Sequence, residues 1–527
     1  MSDNRAQIPT SPNHSPKRHS NLRVGGSGIR EILAILILSL GIVHAAERPN
    51  ILFCISDDQS YAHAGVNGDP LIQTPAFDRV AREGIRFTRA LCVAPSCGPS
   101  RSAILTGQPI WRLEEAGNIH STLPKKFETY TDVLKENGYA VGYTGKGWSP
   151  GRDAPGGREE NAAGRAYSRF QYARGELKDT PQPKGMSRKA YAANFKDFLS
   201  QRPQDKPFCF WLGTHEPHRG YQPNLWKGKD LSKVVVPASL PDHETVRRDL
   251  LDYSHEIEHF DRVVGEALAL LEKSGQLDNT IVVVTSDHGM PFPRAKASLY
   301  DAGTHVPLAI RWPEGISTAG RVHEGLVSLS DLAPTFLEAV GLRRPEMMIA
   351  SSLLEVFSKP SAERRGVYIA MERHDGCRKG GKGYPSRALR TREYLYIKNY
   401  EPDRWPAGNP DREFCARYIP FGEVDSSPTK SLLMENKDKE GFRRFYDLAF
   451  AKRPAEELYD VRVDPGQLVN LAGKSEFARV QKQLSAQLQE RLVLTKDPRA
   501  LGLDAPWDYY PYYGSRRNKN WQVEKRT

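Results

Sequence analysis

The 527-residue sequence has few cysteines, only six in all. A small secreted domain that depends on disulfides needs a much denser set, so a disulfide scaffold is excluded. Cys54 and Cys209 fall within apolar, strand-like runs and are predicted to be buried thiols. For Cys377 and Cys415 pairing stays open, because spacing alone does not decide it. Cys97 has a different setting, described below.

Long hydrophobic runs are also scarce. The run 32–43 is too short to span a bilayer comfortably, follows basic residues and precedes Ala45 and Ala46. This is the pattern of a cleaved signal peptide, so residues 1–46 are predicted to direct export to the periplasm or exterior. A retained anchor and a start later than Met1 are the alternatives. No later segment reaches transmembrane length, and we expect no stable membrane span.

The sequence contains no repeats, low-complexity tracts or nucleic-acid-binding motifs after the signal segment. Its formal net charge is +11, which attracts polyanions through long-range electrostatics. For an exported chain without a DNA- or RNA-binding motif, sulfated polysaccharide is a better candidate than nucleic acid. We therefore expect a sulfated glycan partner and no nucleic-acid partner.

Short β-rich runs alternate with amphipathic helical stretches from residue 47 to 345. This pattern predicts an α/β catalytic domain with a mainly parallel central sheet sandwiched by helices. Short strands and a helix near 475–492 predict a smaller α+β subdomain over 346–505. The aromatic and basic tail, 506–527, is predicted to pack on the surface or to border a glycan cleft. The main predicted strands are 50–55, 140–144, 207–212 and 280–285, and the main predicted helices are 75–83, 130–137, 249–273 and 330–340.

Polar clusters follow each of the four main predicted strands directly. They are Asp57-Asp58, Lys146, the run HEPHR at 215–219, and Asp287-His288. Because ligand sites in open α/β sheets lie beyond the carboxyl ends of the strands, these clusters should converge. Asp57, Asp58 and Asp287 together offer hard oxygen ligands for Ca²⁺ or Mg²⁺. Adjacent aspartates alone would favour a cap or turn after a strand, and it is the second strand-end aspartate, Asp287, that favours a metal site.

The segment 94–107, APSCGPSRSAILTG, predicts a short helix that begins near Cys97. Pro99 suits the first helical turn and Gly107 suits the stop. Backbone N–H groups and the helix dipole at such a start favour an anion. Arg101, one turn later, can bring its guanidinium back to the same place. A reactive or merely capped thiol is the alternative that the residues leave open.

The pattern C-x-P-S-R, followed four residues later by T-G, resembles the signature of the type I, formylglycine-dependent sulfatase family, which has the alkaline-phosphatase-like fold. The resemblance covers essentially the whole mature chain and includes ELYDVRVDPGQLVNLA at 457–472. It implies that a maturation enzyme oxidises Cys97 to formylglycine and that the protein hydrolyses sulfate esters or sulfamates of sugars. HEPHR, SDHGMPFP at 286–293 and SLYDAGTHVP at 298–307 resemble the heparan N-sulfatase branch most, as does YPSRALRT at 384–391.

The resemblance also implies a role for each site residue. In such enzymes one hydroxyl of the hydrated formylglycine attacks sulfur, and loss of a proton from the other then expels sulfate. The metal, Ca²⁺ with Mg²⁺ as the alternative, would be held by Asp57, Asp58, Asp287, His288 and the modified Cys97. Lys146 and Lys296 would hold the sulfate, Arg101 the formylglycine, and His218 would protonate the leaving group. His215, Arg219 and His374 are candidate substrate-binding residues, although all three suit ordinary loop positions as well.

The sequence departs from the family pattern at one position. Many members read G-K-x-H where this chain has GKGW at 145–148, so the expected base for sulfate elimination is replaced by Trp148. Either His120 or His215 would then take that role, or the enzyme would be slow or altered in that half-reaction. Three functions stay open at this point: a sulfatase, a phosphatase or phosphodiesterase on the same fold, and a catalytically silent protein that binds sulfated glycans.

Overall fold

The computed structural model describes residues 48–359 and 364–526. The predicted signal peptide, 1–46, lies outside these described residues. From Arg48 onward the chain forms one compact unit, so the predicted boundaries at 345 and 505 stay a prediction. Within the described ranges, no helix combines the length and the apolar character that crossing a bilayer would demand.

A nine-stranded sheet forms the centre of the molecule, in the order β4-β3-β5-β1-β6-β7-β2-β8, with β9 beside β2. The strands β3, β5, β1 and β6 run parallel, whereas β7 is antiparallel to both of its neighbours. Its strands are β1 Asn50–Ser56, β2 Ile85–Leu91, β3 Ala140–Gly145, β4 Arg165–Ala166, β5 Phe208–Gly213, β6 Thr280–Ser286, β7 His305–Arg311, β8 Arg321–His323 and β9 Val327–Ser328.

Helices cover both faces of this sheet, which confirms the predicted α/β class. Every residue of β1 is buried, as expected for a strand with helices above and below it. Phe53 and Phe336 belong to the core on one face, and Leu52 and Val264 to the core on the other. The α-helices are α1 Pro75–Glu83, α2 Cys97–Thr106, α3 Tyr130–Glu136, α4 Tyr191–Gln201, α5 Glu244–Lys273, α6 Asp301–Thr304, α7 Leu332–Ala339, α8 Leu354–Ser358, α9 Pro428–Glu435, α10 Arg443–Phe450 and α11 Ala478–Leu494.

A second, antiparallel sheet of four strands occupies the C-terminal part of the chain, and α11 packs against it. This arrangement confirms the expected smaller α+β portion. Its strands pair in chain order and are β10 Val367–Met371, β11 Ser386–Arg390, β12 Tyr394–Asn399 and β13 Glu456–Asp460.

The parallel register brings four strand ends to one edge of the large sheet. Ile55 of β1 lies opposite Gly213 of β5 and Thr285 of β6, and Gly145 of β3 lies opposite Gly213 as well. The polar residues that follow these strands therefore start from one line across the sheet. This is the convergence expected for an open α/β sheet.

Candidate active site

Cys97 lies at the centre of the residues that follow the strand ends. Its Sγ is 3.5 Å from Oδ1 of Asp57 and 3.2 Å from Nε2 of His288. One potential ligand atom from each of Asp57, Cys97, Asp287 and His288 lies within 4.8 Å of the others. The structure thus gathers residues from three separate parts of the sequence around the start of α2.

Helix α2 is held rigidly in the position that this geometry requires. All ten of its residues are buried, and the helix ends at Gly107, where φ is 60°. A Cβ at Gly107 would come within 2.3 Å of the Met348 side chain, so only glycine satisfies both the turn and the packing. Near the other end, the Ser100 hydroxyl donates to the Asp287 carbonyl at 2.6 Å. Cys97 is thereby fixed against the end of β6.

The Asp58 carboxylate is suited to bind a cation. Among the described residues, its fully buried Oδ1 has no hydrogen-bond partner, and it lies 3.2 Å from Nε2 of His288. The other ring nitrogen of His288, Nδ1, lies 3.1 Å from the Gly289 carbonyl. That contact places the proton on Nδ1, because a carbonyl only accepts, and turns the Nε2 lone pair toward the carboxylates. Asp58 itself has a left-handed backbone, with φ at 75°.

Two lysines neutralise the paired aspartates. The Lys146 ammonium donates to Asp57, while Lys296 Nζ lies 2.8 Å from Asp58 Oδ2 and 3.1 Å from Asp425 Oδ2. Burial opposes the charged forms, but the mutual attraction prevails: it holds the pKa of Asp57 well below its usual range and raises the pKa of Lys296. The site therefore combines carboxylates for a cation with ammonium groups for an anion.

Arg101 is completely buried beside the same carboxylates. Its Nε donates to Asp287 Oδ2 at 2.9 Å, and its Nη1 donates to the carbonyls of Lys146 and Gly147 at 2.6 and 3.0 Å. Nη2 lies 3.9 Å from Asp57 Oδ1 and has no hydrogen-bond partner in the described part of the chain. A buried guanidinium N–H without a partner is costly, which indicates a place for one more oxygen here.

A cavity of about 350 Å³ opens above Cys97. His218, whose Nε2 lies 4.0 Å from Asp58 Oδ2, stands on its wall, and its Nδ1 is 2.5 Å from the Arg219 carbonyl. His374 is buried beside Cys97, with Nδ1 2.8 Å from the Ser96 hydroxyl. The predicted site residues that line this cavity are Asp57, Cys97, Lys146, His215, His218, Lys296 and His374.

Arg219 is placed outside the residues that line this cavity. Its Nη1 and Nη2 bind the two oxygens of Asp249 at 2.6 and 2.9 Å, and its Nε donates to the Pro291 carbonyl at 2.9 Å. These contacts hold the side chain against α5, so the structure does not bring Arg219 to the cavity wall. Its partner Asp249 lies 30 positions further along the chain, where the HEPHR motif gives no indication of it. Substrate contact by Arg219 stays a prediction.

Trp148 points away from the cavity. Its Nε1 donates to the Ser102 hydroxyl at 2.8 Å, and the side chain is 2% exposed. His120 and His215 do line the cavity. Burial lowers the pKa of His120 to about 4. Although its side chain is exposed at the cavity wall, desolvation and then the Lys146 charge lower the pKa of His215 to about 4 as well. Both imidazoles are therefore neutral at pH 7.

Four further ionisable residues that the sequence patterns did not single out line the cavity: Asp375, Arg417, Asp425 and Tyr512. Arg417 Nε forms an ion pair with Asp375 Oδ2 at 2.6 Å, and the Tyr512 hydroxyl donates to the other oxygen of Asp375 at 2.6 Å. Asp425 lies beyond them against Lys296. These residues come from loops and from the tail, which carry no periodic pattern and no motif. The tail therefore borders the cavity through Tyr512.

Cys377 and Cys415 are neighbours in the structure. A Cβ on Gly422 would lie 2.7 Å from both Cys377 Cβ and Cys415 Sγ. Both residues are buried free thiols, like Cys54 and Cys209, whose burial confirms the prediction.

Comparison with known proteins identifies relatives across most of the chain. A family model described as Sulfatase matches residues 49–342, and one described as N-sulphoglucosamine sulphohydrolase, C-terminal, matches residues 291–407. The human protein named N-sulphoglucosamine sulphohydrolase is 27% identical over 498 residues, covering 88% of this chain and 93% of its own. An ulvan-active sulfatase of Formosa agariphila is 26% identical over 482 residues, covering 86% of this chain and 76% of its own.

The fold is also that of solved structures. One, a protein in complex with its substrate D-glucosamine-2-N,6-O-disulfate, superposes with a TM-score of 0.55 at 21% identity and covers 86% of this chain and 99% of its own. Fold and site together define an α/β hydrolase with a carboxylate-rich centre. The family model spans more than half of the sequence, and the chain belongs to the sulfatase family.

Proposed function

We propose that the protein hydrolyses sulfate esters or sulfamates of sulfated sugars, with an N-sulfated or O-sulfated glucosamine unit as the leading substrate. The observation that carries this proposal is the position of Cys97 Sγ, 3.5 Å from Asp57 Oδ1 and 3.2 Å from His288 Nε2, with three buried cations around it. The choice of glucosamine is supported by the similarity to human N-sulphoglucosamine sulphohydrolase over 88% of this chain.

The residues present fit a divalent cation. Three carboxylates and one imidazole with its lone pair turned inward suit Ca²⁺, with Mg²⁺ as the alternative, and the partnerless Oδ1 of Asp58 is the atom that most needs a cation. Asp57, Asp58, Asp287 and His288 would hold the ion together with the modified residue at 97. Bound there, it would supply positive charge to the sulfate oxygens and to the oxygen at position 97.

Formylglycine at position 97 would supply an oxygen nucleophile that a thiol does not. Its hydrate carries two hydroxyls on one carbon, so one can attack while the other later releases the sulfate. Arg101 Nη2, which lacks a partner, is suited to orient an oxygen at this position. We therefore propose that Cys97 is oxidised by a dedicated maturation enzyme.

Lys146 and Lys296 would bind the sulfate, and His218 would transfer a proton to the leaving group. Lys146 and Lys296 neutralise the sulfuryl oxygens, which would otherwise repel a nucleophile. The Arg219 carbonyl fixes the proton of His218 on Nδ1, so only the doubly protonated ring can donate from Nε2. That second proton goes to the departing oxygen or nitrogen of the sugar, and His218 acts as the general acid.

His215 is the better placed of the two candidate bases for sulfate release. The charges that act on His215 are those of Lys146, Asp57 and Arg101, around the reacting centre, and that of Lys189. Those that act on His120 are headed by Asp375 and Arg417, and of the three groups around the reacting centre they include only Lys146. A neutral imidazole at His215 can accept a proton from position 97 through one water molecule, the task that Trp148 lacks the chemistry to perform.

Export to the periplasm or exterior completes the proposal. It rests on the basic residues and the apolar run 32–43, which Ala45 and Ala46 follow. Polysaccharide substrates are found outside the cytoplasm, which agrees with this destination.

The direct test measures sulfate release from N-sulfated and O-sulfated glucosamine oligosaccharides by the exported protein, with Cys97→Ala as the control. Peptide mass spectrometry determines the chemical state of residue 97 in the same preparation. We expect formylglycine at 97 and sulfate release that the control lacks. Hydrolysis of phosphate esters in preference to sulfate, or an unmodified thiol with undiminished activity, would contradict the proposal.

A further inference from the structure

Part of the cavity above Cys97 is lined by charged residues that have no role in the proposed chemistry. This part, which we call the acidic wall, consists of Asp375, Arg417, Asp425 and Tyr512. The reacting groups hold only the sulfate, whereas the sugar that carries it has to lie in the same cavity. The acidic wall is therefore available to the sugar, and its charges bear on which sugars fit.

Asp375 and Tyr512 hold the Arg417 guanidinium in one position. Asp375 is buried, and its Oδ1 accepts hydrogen bonds from the Tyr512 hydroxyl at 2.6 Å and from the Gly376 N–H at 2.7 Å. Its Oδ2 lies 2.6 Å from Arg417 Nε, and Arg417 Nη2 donates to the Gly422 carbonyl at 2.6 Å. Because Asp375 spends its oxygens on these contacts, it acts on a ligand through Arg417.

Arg417 and Asp425 keep polar atoms for a ligand. The Arg417 side chain is 33% exposed, and its Nη1 lies 3.6 Å from Asp425 Oδ1, beyond hydrogen-bond distance. Oδ2 of Asp425 lies 3.1 Å from Lys296 Nζ as an ion pair, yet this buried oxygen has no aligned hydrogen-bond donor in the described part of the chain. A guanidinium donates and a carboxylate accepts, so the pair offers both contacts that a sugar hydroxyl makes.

Lys296 places this pair beside the proposed sulfate position. Its Nζ lies between Asp58 Oδ2, at 2.8 Å, and Asp425 Oδ2, at 3.1 Å. A sugar whose sulfate reaches Lys296 therefore brings a neighbouring substituent to the acidic wall. That substituent meets two carboxylates and one guanidinium, while Lys296 is already engaged by Asp58 and the reacting sulfate. Since like charges repel strongly in a partly buried site, a hydroxyl is favoured there over a second sulfate.

We propose that Arg417 and Asp425 bind a free hydroxyl of the sugar unit that carries the reacting sulfate, and that the acidic wall excludes a second sulfate from this place. The inference rests on the proposed function, from which it takes the sulfate position, and narrows the substrate to singly sulfated sugar units. A unit with two sulfates would have to lose the other one in a separate desulfation reaction first. Asp425 is thereby a specificity-determining residue.

The test compares three sugars: N-sulfoglucosamine, glucosamine 6-sulfate and the N,6-O-disulfated glucosamine. The quantity measured is the ratio of kcat/KM for the better singly sulfated sugar to kcat/KM for the disulfated sugar. Both values come from one preparation, so the ratio does not depend on the fraction of folded or matured protein. We expect a ratio of at least about ten for the unaltered protein.

Two variants should move this ratio in opposite directions. Asp425→Asn keeps an oxygen acceptor but removes one negative charge, so the ratio should fall at least about threefold. Arg417→Gln leaves two carboxylates without their guanidinium, so the ratio should rise by about the same factor, with a higher KM for the singly sulfated sugar. Asp205→Asn and Arg174→Gln, at exposed positions outside the cavity lining, are the matched controls and should leave the ratio unchanged. A general structural defect would lower all rates without these opposite shifts.

Equal kcat/KM on singly and doubly sulfated sugars in the unaltered protein, or an unchanged ratio in both variants, would overturn the inference. Calorimetric binding of the same sugars to the Cys97→Ala protein separates this failure from failure of the proposed function. A preference for binding the singly sulfated sugars that Asp425→Asn abolishes, without any sulfate release by the unaltered protein, would keep the acidic wall and refute the hydrolysis. Sulfate release without such a preference would keep the hydrolysis and refute the acidic wall.

Discussion

Nε2 of His288 lies 3.2 Å from Sγ of Cys97, although 191 positions separate the two residues in the chain. His288 follows β6, and Cys97 begins α2, so the contact joins a strand end to a helix start. The Nδ1 of the same histidine is fixed by the Gly289 carbonyl at 3.1 Å. The imidazole thus reaches the reacting position in one defined tautomer.

This contact predicts how position 288 tolerates change. His288→Asn keeps one donor atom for the ion, whereas His288→Ala leaves a gap beside the fully buried Asp58. We expect calcium affinity to fall at least about tenfold more for the alanine variant. Metal content after dialysis, and the rise in melting temperature on adding Ca²⁺, measure the effect. Equal calcium binding by both variants would remove His288 from the ligand set.

Chelation gives a separate prediction for the ion. Removal of the proposed ion would leave Asp57, Asp58 and Asp287 buried with only the neighbouring cations to balance them. Treatment with a calcium chelator should abolish sulfate release and lower the melting temperature, and added Ca²⁺ should restore both. Full activity after exhaustive chelation, verified by elemental analysis, would show that the chemistry needs no ion.

Lys146 should be essential for turnover because its ammonium is the direct partner of Asp57 in the cavity. Lys146→Ala is expected to lower kcat/KM by about 10²–10³. Lys184→Ala, which removes an exposed charge elsewhere, is the matched control. A decrease of similar size in both variants would indicate loss of net charge as the cause.

The two candidate bases predict different kinetics. His215→Gln should slow sulfate release more than the first transfer, so sulfated residue 97 accumulates and is visible by mass spectrometry after rapid quenching. His120→Gln should leave that step intact. Since the pKa of His215 is about 4, a base there is protonated as pH falls through that value, and turnover should decline there. Accumulation in the His120 variant alone would reverse the assignment.

Gly145 permits the backbone turn that aims Lys146 at the site. Its φ is 76°, and a Cβ there would lie 1.9 Å from the Gly213 carbonyl oxygen. Gly138 also has a positive φ, 90°, but a Cβ there would meet nothing within 4 Å. Gly138→Ala should cost roughly 1–2 kcal/mol of unfolding free energy, and Gly145→Ala about 3 kcal/mol more. Chemical denaturation checks the difference, and equal losses would mean that the close contact relaxes freely.

Much of the site could be predicted from the sequence because hydrophobic runs mark the strands and parallel strands end at one edge. On this basis the sequence predicts that Asp57, Lys146 and Asp287 lie together, and the strands that precede them do end at one edge. The short helix at Cys97 could also be predicted, since Pro99 and Gly107 indicate where it begins and ends. The helix boundaries differ by a few residues: α5 begins at Glu244, where the prediction began at 249, because His243 caps it.

The part of the cavity wall that Asp375 and Tyr512 form could not be predicted in this way. Asp375 and Tyr512 meet at 2.6 Å across 137 positions, and neither belongs to a periodic element. The same limit explains Arg219, whose place in a motif did not reveal that Asp249 would engage its guanidinium. Long-range pairings between loops leave no local pattern, so only the folded arrangement discloses them.

The burial of Cys97 restricts when an enzyme could modify this residue. Cys97 is only 1% exposed in the folded chain, so an enzyme of protein size cannot reach the thiol or bind the segment around it. If Cys97 is converted to formylglycine as proposed, the oxidation has to precede folding of this segment, because Tyr512, 415 positions later, lines the same cavity in the folded chain. The proposed conversion would then be confined to the time before the chain folds, and a folded chain that still carries the thiol would stay unmodified.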